Sequence, residues 1–275
     1  MKTLNTIEEI SRVFTTPGSS PALVLCEDFN LWVCKYDRTS INLFNEMIAS
    51  SFAKIWGIKV PDSCFILVDE SHVPVEKFPV LEHRFFNKEC FGSFYLTEGK
   101  EIDRTSLSLF EERTFRNKIN NKEDFLKIAL FDIWLGNEDR NHNNFNLLLN
   151  IEENQTTFFY AIDHVCIFNS SFLDYGINEL SEDESIIKTE LAKILFSNFR
   201  NLPSVVNDLV EKFYLCVDEC ENQLEAIVNL TPDSWALDRA EILEKLRNNL
   251  FTDAWKERCE NVFREFIQAF IIKKK

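Results

Sequence analysis

FDIWLGNEDRNHNNFNLLLN, residues Phe131 to Asn150, is the stretch in which the character of the chain changes most abruptly. Its first residues have the apolar pattern of a buried helix, and its last residues have that of a strand. Between them, the consecutive positions 137–144 are all polar or charged. A polar run between two buried elements costs stability unless its groups bind something. We therefore expect a functional loop here.

A calcium loop is one interpretation of this run, because Asp139, Asn141 and Asn143 occupy alternate positions. An EF-hand also needs glycine at its sixth position and a glutamate at its twelfth. Asn144 and Asn150 stand at those positions, and a strand pattern follows instead of a helix. A purely structural interpretation is that the side chains satisfy turns. That would explain a few of the polar residues but not the whole run.

A kinase catalytic loop fits the run better. In such loops an Asp orients and deprotonates the acceptor hydroxyl, and an Asn after four intervening residues holds a metal ion. Asp139 and Asn144 have this spacing. A second strand pattern, after the turn at 152–155, ends at Asp163 and returns it toward the loop. Magnesium prefers such oxygen ligands. The sequence predicts a phosphoryl-transfer site with Asp139 as catalytic base and with Asn144 and Asp163 as metal ligands.

The N-terminal part predicts a second feature of kinases. Ala22 to Cys26 and Leu31 to Tyr36 read as a hairpin, and a helix is expected from Ser40 to about Trp56. Lys35 on the second strand and Glu46 on the helix have the layout of a kinase Lys–Glu ion pair. On local grounds alone, Lys35 could equally face solvent from an edge strand.

The remaining pattern predicts an α+β fold. A short helix is expected at 7–14, strands at 64–69 and 78–86, and a loop-rich crossover at 87–99. The later part is mainly helical, with helices expected at 106–116, 123–135, 186–199, 204–228 and 238–272, the last with one interruption.

Composition narrows the class of protein. The chain has 275 residues and a net charge of -15, which argues against direct binding to nucleic acid or to an anionic membrane. Its eight cysteines include no C-x-x-C pair, so a zinc ribbon or thioredoxin-type motif is not expected. No stretch has the apolar length of a signal peptide or a membrane span. We therefore expect a protein of the reducing cytoplasm.

The loop also resembles a known family. The run WLGNEDRNHNN at 134–144, followed by AIDH at 161–164, is similar to the HipA-like kinase domains of bacteria, which are atypical serine/threonine kinases related to toxin–antitoxin systems. His164 and Val165 follow Asp163 where ordinary eukaryotic-type kinases have Phe-Gly. Further parts of the resemblance lie at 31–35, 45–46, 57–61, 91–93 and 232–235.

The resemblance implies a bilobal protein-kinase-like fold. Its N-lobe, residues 1–86, would be a small antiparallel sheet with one helix, and its C-lobe, residues 87–275, would be mainly helical. The hinge would lie near 82–91. ATP and Mg²⁺ would bind between the lobes.

The resemblance also implies residue roles. Asp139 would be the catalytic base, and Asn144 and Asp163 would be the Mg²⁺ ligands. Lys35 would contact the nucleotide phosphates, and Glu46 would fix that lysine. Gly18, Ser19 and Ser20 fall where a phosphate-covering loop belongs, although only one of them is glycine. His142 stands one position later than the family's histidine, and we expect His142 and His164 to be loop hydrogen-bonding groups.

Three functions remain open from the sequence. The first is a serine/threonine protein kinase, whose partners would be a protein substrate and an inhibitory antitoxin-like protein. The second is a phosphatidylinositol-type lipid kinase, because such enzymes carry a related motif. The third is an inactive pseudokinase that binds nucleotide or a protein partner. No segment typical of DNA binding is evident, so we expect no fused antitoxin.

Overall fold

The protein's structure, a computed structural model, describes residues 1–15, 20–152 and 156–272. The described residues form nine strands, of which the first six end by Phe94. They are β1 (Thr3–Asn5), β2 (Arg12–Val13), β3 (Ala22–Leu25), β4 (Leu31–Lys35), β5 (Ser63–Leu67), β6 (Cys90–Phe94), β7 (Lys100–Glu101), β8 (Leu147–Ile151) and β9 (Thr157–Ala161).

The described residues also form eight α-helices, seven of which follow β7. They are α1 (Ser40–Ile55), α2 (Leu107–Glu111), α3 (Arg113–Arg116), α4 (Asp124–Leu135), α5 (Glu190–Phe196), α6 (Leu202–Val228), α7 (Arg239–Leu250) and α8 (Asp253–Phe266). A π-helical segment, Ile267–Ile271, continues α8. Among the helices of the described residues, none is both long enough and apolar enough to cross a bilayer.

Two sheets organise the strands. The larger has the order β1-β5-β6-β4-β3-β2, and the smaller has the order β7-β8-β9. Neighbouring strands are antiparallel, except that β1 runs parallel to β5. The larger sheet is therefore mixed rather than wholly antiparallel. With α1 beside it and a mainly helical remainder, the predicted α+β class is confirmed.

Two predictions for the N-terminal part were wrong. The expected helix at 7–14 is absent from the residues described there, which instead contain the short strand β2. The expected crossover loop at 87–99 contains β6, which lies between β5 and β4 in the larger sheet. This sheet thus extends beyond residue 86. The division into lobes at 1–86 and 87–275 stays a prediction.

The prediction of a strand at 78–86 was also wrong. The segment forms turns and a 3₁₀ turn, His83–Phe86, although Leu81 and Phe86 are buried beneath the larger sheet. Pro79 stands inside the segment and has no N–H to donate to a strand ladder. The apolar pattern therefore reflects burial of a loop.

Alternation along β4 directs Lys35 away from the core under the larger sheet. Trp32 and Cys34 are buried in that core with residues of β3, β5 and β6. Successive side chains of a strand point to opposite faces. Lys35 therefore points to the opposite face, toward α1.

Helix α1 confirms the helix expected from Ser40 to about Trp56. Phe44, Met47 and Phe52 are fully buried, and the helix packs on both β6 and α6. Gly57 follows with φ 62°, a left-handed conformation that ends the helix.

Helix α4 is the central helix of the mainly helical part. Its Trp134 indole N–H donates to the Leu250 carbonyl at 3.0 Å, and the Trp255 indole N–H donates to the Trp134 carbonyl at 3.0 Å. These two bonds connect α4 to the end of α7 and the start of α8. Because α4 is buried almost along its entire length, the loop that follows it starts from a fixed position.

The other predicted helices are present with shifted boundaries. The one expected at 106–116 is divided into α2 and α3 at Glu112, which has an extended conformation. The helix expected at 186–199 is a 3₁₀ turn followed by α5. The helix expected at 204–228 corresponds to α6. The interruption expected within 238–272 lies at Phe251 and Thr252, where the Thr252 side chain caps α8.

The segment before α7 contacts the larger sheet. The Trp235 indole N–H donates to the Glu89 carbonyl at 2.8 Å, and the Trp235 ring packs edge-on against Phe65 of β5. Ser234 also hydrogen-bonds to the Glu89 carboxylate. The helical part is thereby attached to the sheet on the residue directly preceding β6.

We expect Gly92→Ala to destabilise the larger sheet. A Cβ atom at Gly92 would lie 2.5 Å from Ile66 Cδ1 and 2.7 Å from Cys64 Sγ, so neighbouring residues would have to move. Overpacking of this kind costs about 1–3 kcal/mol, measurable by urea unfolding. Ser93→Ala, on the same strand, is the control. Equal stability of the two variants would contradict the close packing at Gly92.

Candidate active site

The loop at 136–146 leaves α4 through a left-handed residue. Gly136 has φ 59°, and a Cβ atom there would lie 3.1 Å from Asn169 Oδ1, so glycine permits both the turn and the close approach. Within the loop, the Asn141 N–H donates to the Asn144 carbonyl at 2.8 Å. The loop is also attached outside itself, because the Glu138 N–H donates to the Cys166 carbonyl at 3.3 Å.

Two asparagines hold Asp139. Nδ2 of Asn144 donates to Asp139 Oδ2 at 2.8 Å, and Nδ2 of Asn146 donates to the same oxygen at 3.0 Å. Within the described part of the chain, Asp139 Oδ1 has no hydrogen-bond partner. The carboxylate is thus oriented by one oxygen and can accept a proton or hydrogen bond with the other.

Lys35 lies between two carboxylates. Its ammonium forms an ion pair with Glu46 and another, at 3.0 Å, with Asp163 Oδ1. The strand β4, the helix α1 and the segment after β9 therefore meet at one cation. Since Lys35 faces this cluster, the alternative of a solvent-facing edge-strand lysine is excluded.

The shared cation separates the pKa values of the two carboxyl groups. The charge of Lys35 holds the pKa of Asp163 well below its ordinary value. Burial raises the pKa of Glu46 to about 7, against the opposing effect of Lys35. The side chain of Glu46 is 4% exposed and that of Asp163 is 34% exposed, so desolvation affects Glu46 more. Burial lowers the pKa of Lys35, but the two carboxylates outweigh burial and raise it. Asp163 is therefore ionised at neutral pH.

A second cation is buried under the loop. Arg140 is fully buried and forms an ion pair with Asp132 of α4. Its Nη2 donates to the Ile162 carbonyl at 2.8 Å, and its Nε donates to the Asn146 carbonyl at 3.4 Å. Asn137 Nδ2 also donates to Asp132 Oδ1, at 2.9 Å. Asn137 and Arg140 therefore hold the loop on α4 through Asp132.

His164 connects the two cations. Burial, together with the nearby charges of Arg140 and Lys35, keeps its pKa well below the ordinary value. The imidazole is therefore neutral, and its Nε2 accepts from Arg140 Nη2 at 3.2 Å. The His164 backbone N–H donates to Glu46 Oε1 at 3.1 Å. His164 is a hydrogen-bonding residue as expected.

Asp163 itself has a left-handed backbone, with φ 57°. The segment is fixed on both sides, because the Ile162 N–H donates to the Asn146 carbonyl at 3.0 Å and the Val165 carbonyl accepts from Asn45 Nδ2 at 2.8 Å. A non-glycine residue with positive φ persists only where its surroundings determine it. Here the surroundings direct the Asp163 carboxylate toward Lys35.

The donor atoms present fit a magnesium ion. Asp163 offers an ionised carboxylate, and Asn144 offers Oδ1, because its nitrogen is engaged by Asp139. The Ile162 N–H donates to the Asn146 carbonyl, and Asp163 and Asn144 each lie within two residues of this bond. No direct bond joins them. Among the described residues, no three His, Cys, Asp or Glu side chains form a metal cluster. Mg²⁺ commonly takes one or two protein ligands with water and substrate phosphates, so these residues could hold it.

The expected phosphate-covering loop is only partly described. Gly18 and Ser19 lie outside the described residues. The Ser20 carbonyl accepts from the Tyr36 hydroxyl at 2.6 Å. Tyr36, the residue next to Lys35, is thus hydrogen-bonded to Ser20, the last residue of this loop.

Comparison with protein families finds that residues 7–265 match the HipA-like kinase family. The chain belongs to that family. The predicted resemblance is therefore confirmed over nearly the whole chain. No sequence among the curated proteins matches it.

Two solved structures are similar to this chain. The Helicobacter pylori proinflammatory kinase CtkA is 16% identical, with a TM-score of 0.55, and the match covers 96% of this chain and 98% of that one. HipA, from the Shewanella oneidensis MR-1 toxin–antitoxin complex with HipB and operator DNA, is 13% identical, with a TM-score of 0.46 and coverage of 94% and 65%. The first of these shows a shared kinase-like fold.

Sequence reasoning missed two residues of the site in this HipA-like kinase. Asp132 is the partner of the buried Arg140, and Asn146 is the second donor to Asp139. A signal for Asp132 was present, because a carboxylate in an otherwise apolar helix needs a buried partner. Asn146 stands between Phe145 and Leu147 and was attributed to the strand pattern.

We expect Arg140→Met to destabilise the protein by about 3–5 kcal/mol, because it leaves the Asp132 carboxylate buried without its cation. Urea unfolding measures this. Asp132→Asn combined with Arg140→Met should lose less stability than the sum of the two single variants, since the double variant removes both charges. Arg247→Met, at an exposed position of α7, should change stability by less than about 0.5 kcal/mol. Strict additivity would contradict a coupled buried pair.

Proposed function

We propose that this protein is an ATP- and Mg²⁺-dependent kinase that phosphorylates serine or threonine hydroxyls of proteins. One arrangement carries the proposal: Lys35 lies between Glu46 and Asp163, while Asp139 is held nearby by two asparagines. Membership of the HipA-like kinase family supports it.

The acceptor side of the reaction is assigned to Asp139. Its Oδ2 accepts from Asn144 and Asn146, which leaves Oδ1 for the acceptor hydroxyl. In this position the carboxylate orients the hydroxyl oxygen toward the γ-phosphorus of ATP. It takes the hydroxyl proton as the new O–P bond forms, while the bond from the γ-phosphorus to the bridging oxygen breaks and ADP leaves with that electron pair. Such catalysis contributes typically about 10²- to 10⁴-fold in rate.

The nucleotide side is assigned to Lys35, Glu46, Asn144 and Asp163. Lys35 would bind phosphate oxygens, and Glu46 would keep its ammonium in place from the buried side. The residues Gly18–Ser20 would cover the phosphates. Asn144 and Asp163 would hold Mg²⁺, which when bound would neutralise charge on the transferring phosphoryl group. Asp163 suits this role because its pKa lies well below the ordinary value.

The partners are proposed from the family. The acceptor would be a protein carrying serine or threonine, and an antitoxin-like protein would inhibit the kinase. A cytoplasmic location, and the absence of direct nucleic-acid or membrane binding, stay predictions from the composition.

Asp139→Asn should lower phosphate transfer by about 10²- to 10⁴-fold, because the amide cannot accept the proton. The measurement is incorporation of labelled phosphate from ATP into proteins of a cell lysate. Asp208→Asn, at an exposed position on α6, is the matched control and should retain full activity.

Equal labelling by wild type and Asp139→Asn would remove Asp139 from the mechanism. Labelling of phosphatidylinositol vesicles without labelling of proteins would make the acceptor a lipid instead. Unchanged melting temperatures of both variants would show that a loss of transfer is not a loss of folding.

Binding of ATP should depend on Mg²⁺ through Asp163. At a nucleotide concentration of about 100 Kd, Mg²⁺-ATP should stabilise the wild-type protein by about 2.7 kcal/mol, and EDTA should remove most of this gain. Asp163→Asn should lose the Mg²⁺-dependent part, because an amide is the weaker ligand. Thermal unfolding with and without Mg²⁺ measures both.

A full Mg²⁺-dependent shift in Asp163→Asn would exclude Asp163 as a ligand. A wild-type protein that shows the shift but transfers no phosphate to any acceptor would be a nucleotide-binding pseudokinase. Asp208→Asn again serves as the control.

A further inference from the structure

An exposed arginine is attached to the loop that carries Asp139. Arg104 Nη2 donates to Asn143 Oδ1 at 2.6 Å. Asn143 directly precedes Asn144, whose amide holds Asp139. The residue that contacts Arg104 is therefore the direct neighbour of one of the two asparagines that orient the catalytic carboxylate.

The position of Arg104 is set by the smaller sheet. β7 pairs with β8, the strand that leaves the catalytic loop, and the Ile102 N–H continues this pairing by donating to the Leu147 carbonyl at 2.9 Å. Arg104 comes two residues later, at the edge of the sheet where the catalytic loop also ends. Its location thus follows from backbone pairing and not only from its own side chain.

A capped turn holds the residues around Arg104. Asp103 Oδ1 accepts from the Ser106 N–H at 2.9 Å and from the Thr105 hydroxyl at 2.7 Å. The Asp103 N–H donates to Ser106 Oγ at 3.0 Å. The neighbouring carboxylate is therefore engaged in the turn, and among the described residues it forms no ion pair with Arg104.

The guanidinium retains unused binding capacity. Arginine has five N–H donors, and within the described ranges Arg104 bonds through Nη2 to Asn143 and forms no ion pair. Its side chain is exposed. A planar guanidinium with free donors is suited to bind a carboxylate or a phosphate through two parallel hydrogen bonds.

Arg104 and Asp139 bond to consecutive residues of the loop, Asn143 and Asn144, so one acceptor segment can reach both. An extended peptide advances about 3.3 Å per residue, so a residue a few positions from the acceptor hydroxyl would lie toward Arg104. A protein with a net charge of -15 repels acidic segments in general, and a fixed cation at the rim of the site would offset this locally.

We propose that Arg104 selects acceptor segments that carry an anionic side chain, carboxylate or phosphate, a few residues from the phosphorylated serine or threonine. This inference rests on the proposed kinase function and names its substrate class. Arg104 is assigned to specificity, and the chemistry stays with Asp139.

Matched peptides test the preference. Each has one serine, with aspartate, phosphoserine, alanine or lysine at one position within four residues on either side, and kcat/KM is measured for each. Wild type should favour aspartate or phosphoserine over lysine by about tenfold or more at one position, mainly through KM. Comparison of aspartate with phosphoserine distinguishes a carboxylate ligand from a phosphate ligand.

Charge reversal provides the decisive variant. Arg104→Glu should reverse the preference toward the lysine peptide, and Arg104→Lys should retain part of the original preference. Arg113→Glu, at an exposed position on α3, makes the same change in net charge and should leave the preference as in wild type. If Arg104→Glu instead lowers the rates on all peptides equally, Arg104 only braces the loop and the inference is overturned.

A binding measurement separates this inference from the kinase proposal. Fluorescence anisotropy of the labelled aspartate and phosphoserine peptides, without nucleotide, should show binding to wild type that Arg104→Glu weakens at least tenfold. Binding of this kind without phosphate transfer would contradict the kinase function and support the anionic site. Transfer without any effect of the Arg104 charge on binding or preference would support the kinase and overturn the anionic site.

Discussion

The buried guanidinium of Arg140 is the constraint on which the arrangement of the site depends. A charge without access to water is very unfavourable unless ion pairs and hydrogen bonds compensate it. Here the compensation comes from Asp132 on α4 and from the carbonyls of Asn146 and Ile162, where β8 begins and β9 ends. Because Asp139 precedes Arg140 and Asp163 follows Ile162, one buried cation fixes the positions of both acidic groups.

Lys35 makes the corresponding connection to the larger sheet, and His164 joins the two cations. The imidazole accepts from Arg140, and the backbone N–H of the same residue donates to Glu46, the partner of Lys35. Burial disfavours a protonated imidazole here, and the two cations would repel it as well, which is why the pKa of His164 is depressed. The network therefore depends on a neutral histidine, and the strand, the helix and the loop are held as one polar unit.

Much of this site follows from the sequence, because its parts are local. The spacing of Asp139 and Asn144, the strand ending at Lys35 and the hairpin that returns Asp163 depend on short-range patterns. Asp132 lies only eight residues before Arg140, but no spacing pattern indicates that the two groups pair, and Asp132 was missed for that reason. β6 was missed because Gly92 lies at its centre, and glycine weakens a strand pattern. In the structure, Gly92 is required there by the close approach of Ile66.

The two tryptophan bonds of α4 have a consequence for the order in which the protein is made. Trp134 lies just before the catalytic loop, yet it bonds to Leu250 and Trp255. These two residues come 116 and 121 positions later in the chain. Contacts of such long sequence separation form late, because a large loop must close first. The larger sheet and α1 are complete once residue 94 has been synthesised, whereas the support of the catalytic loop waits for α8. During translation, a nascent chain can therefore fold its N-terminal sheet well before its catalytic loop acquires its final support.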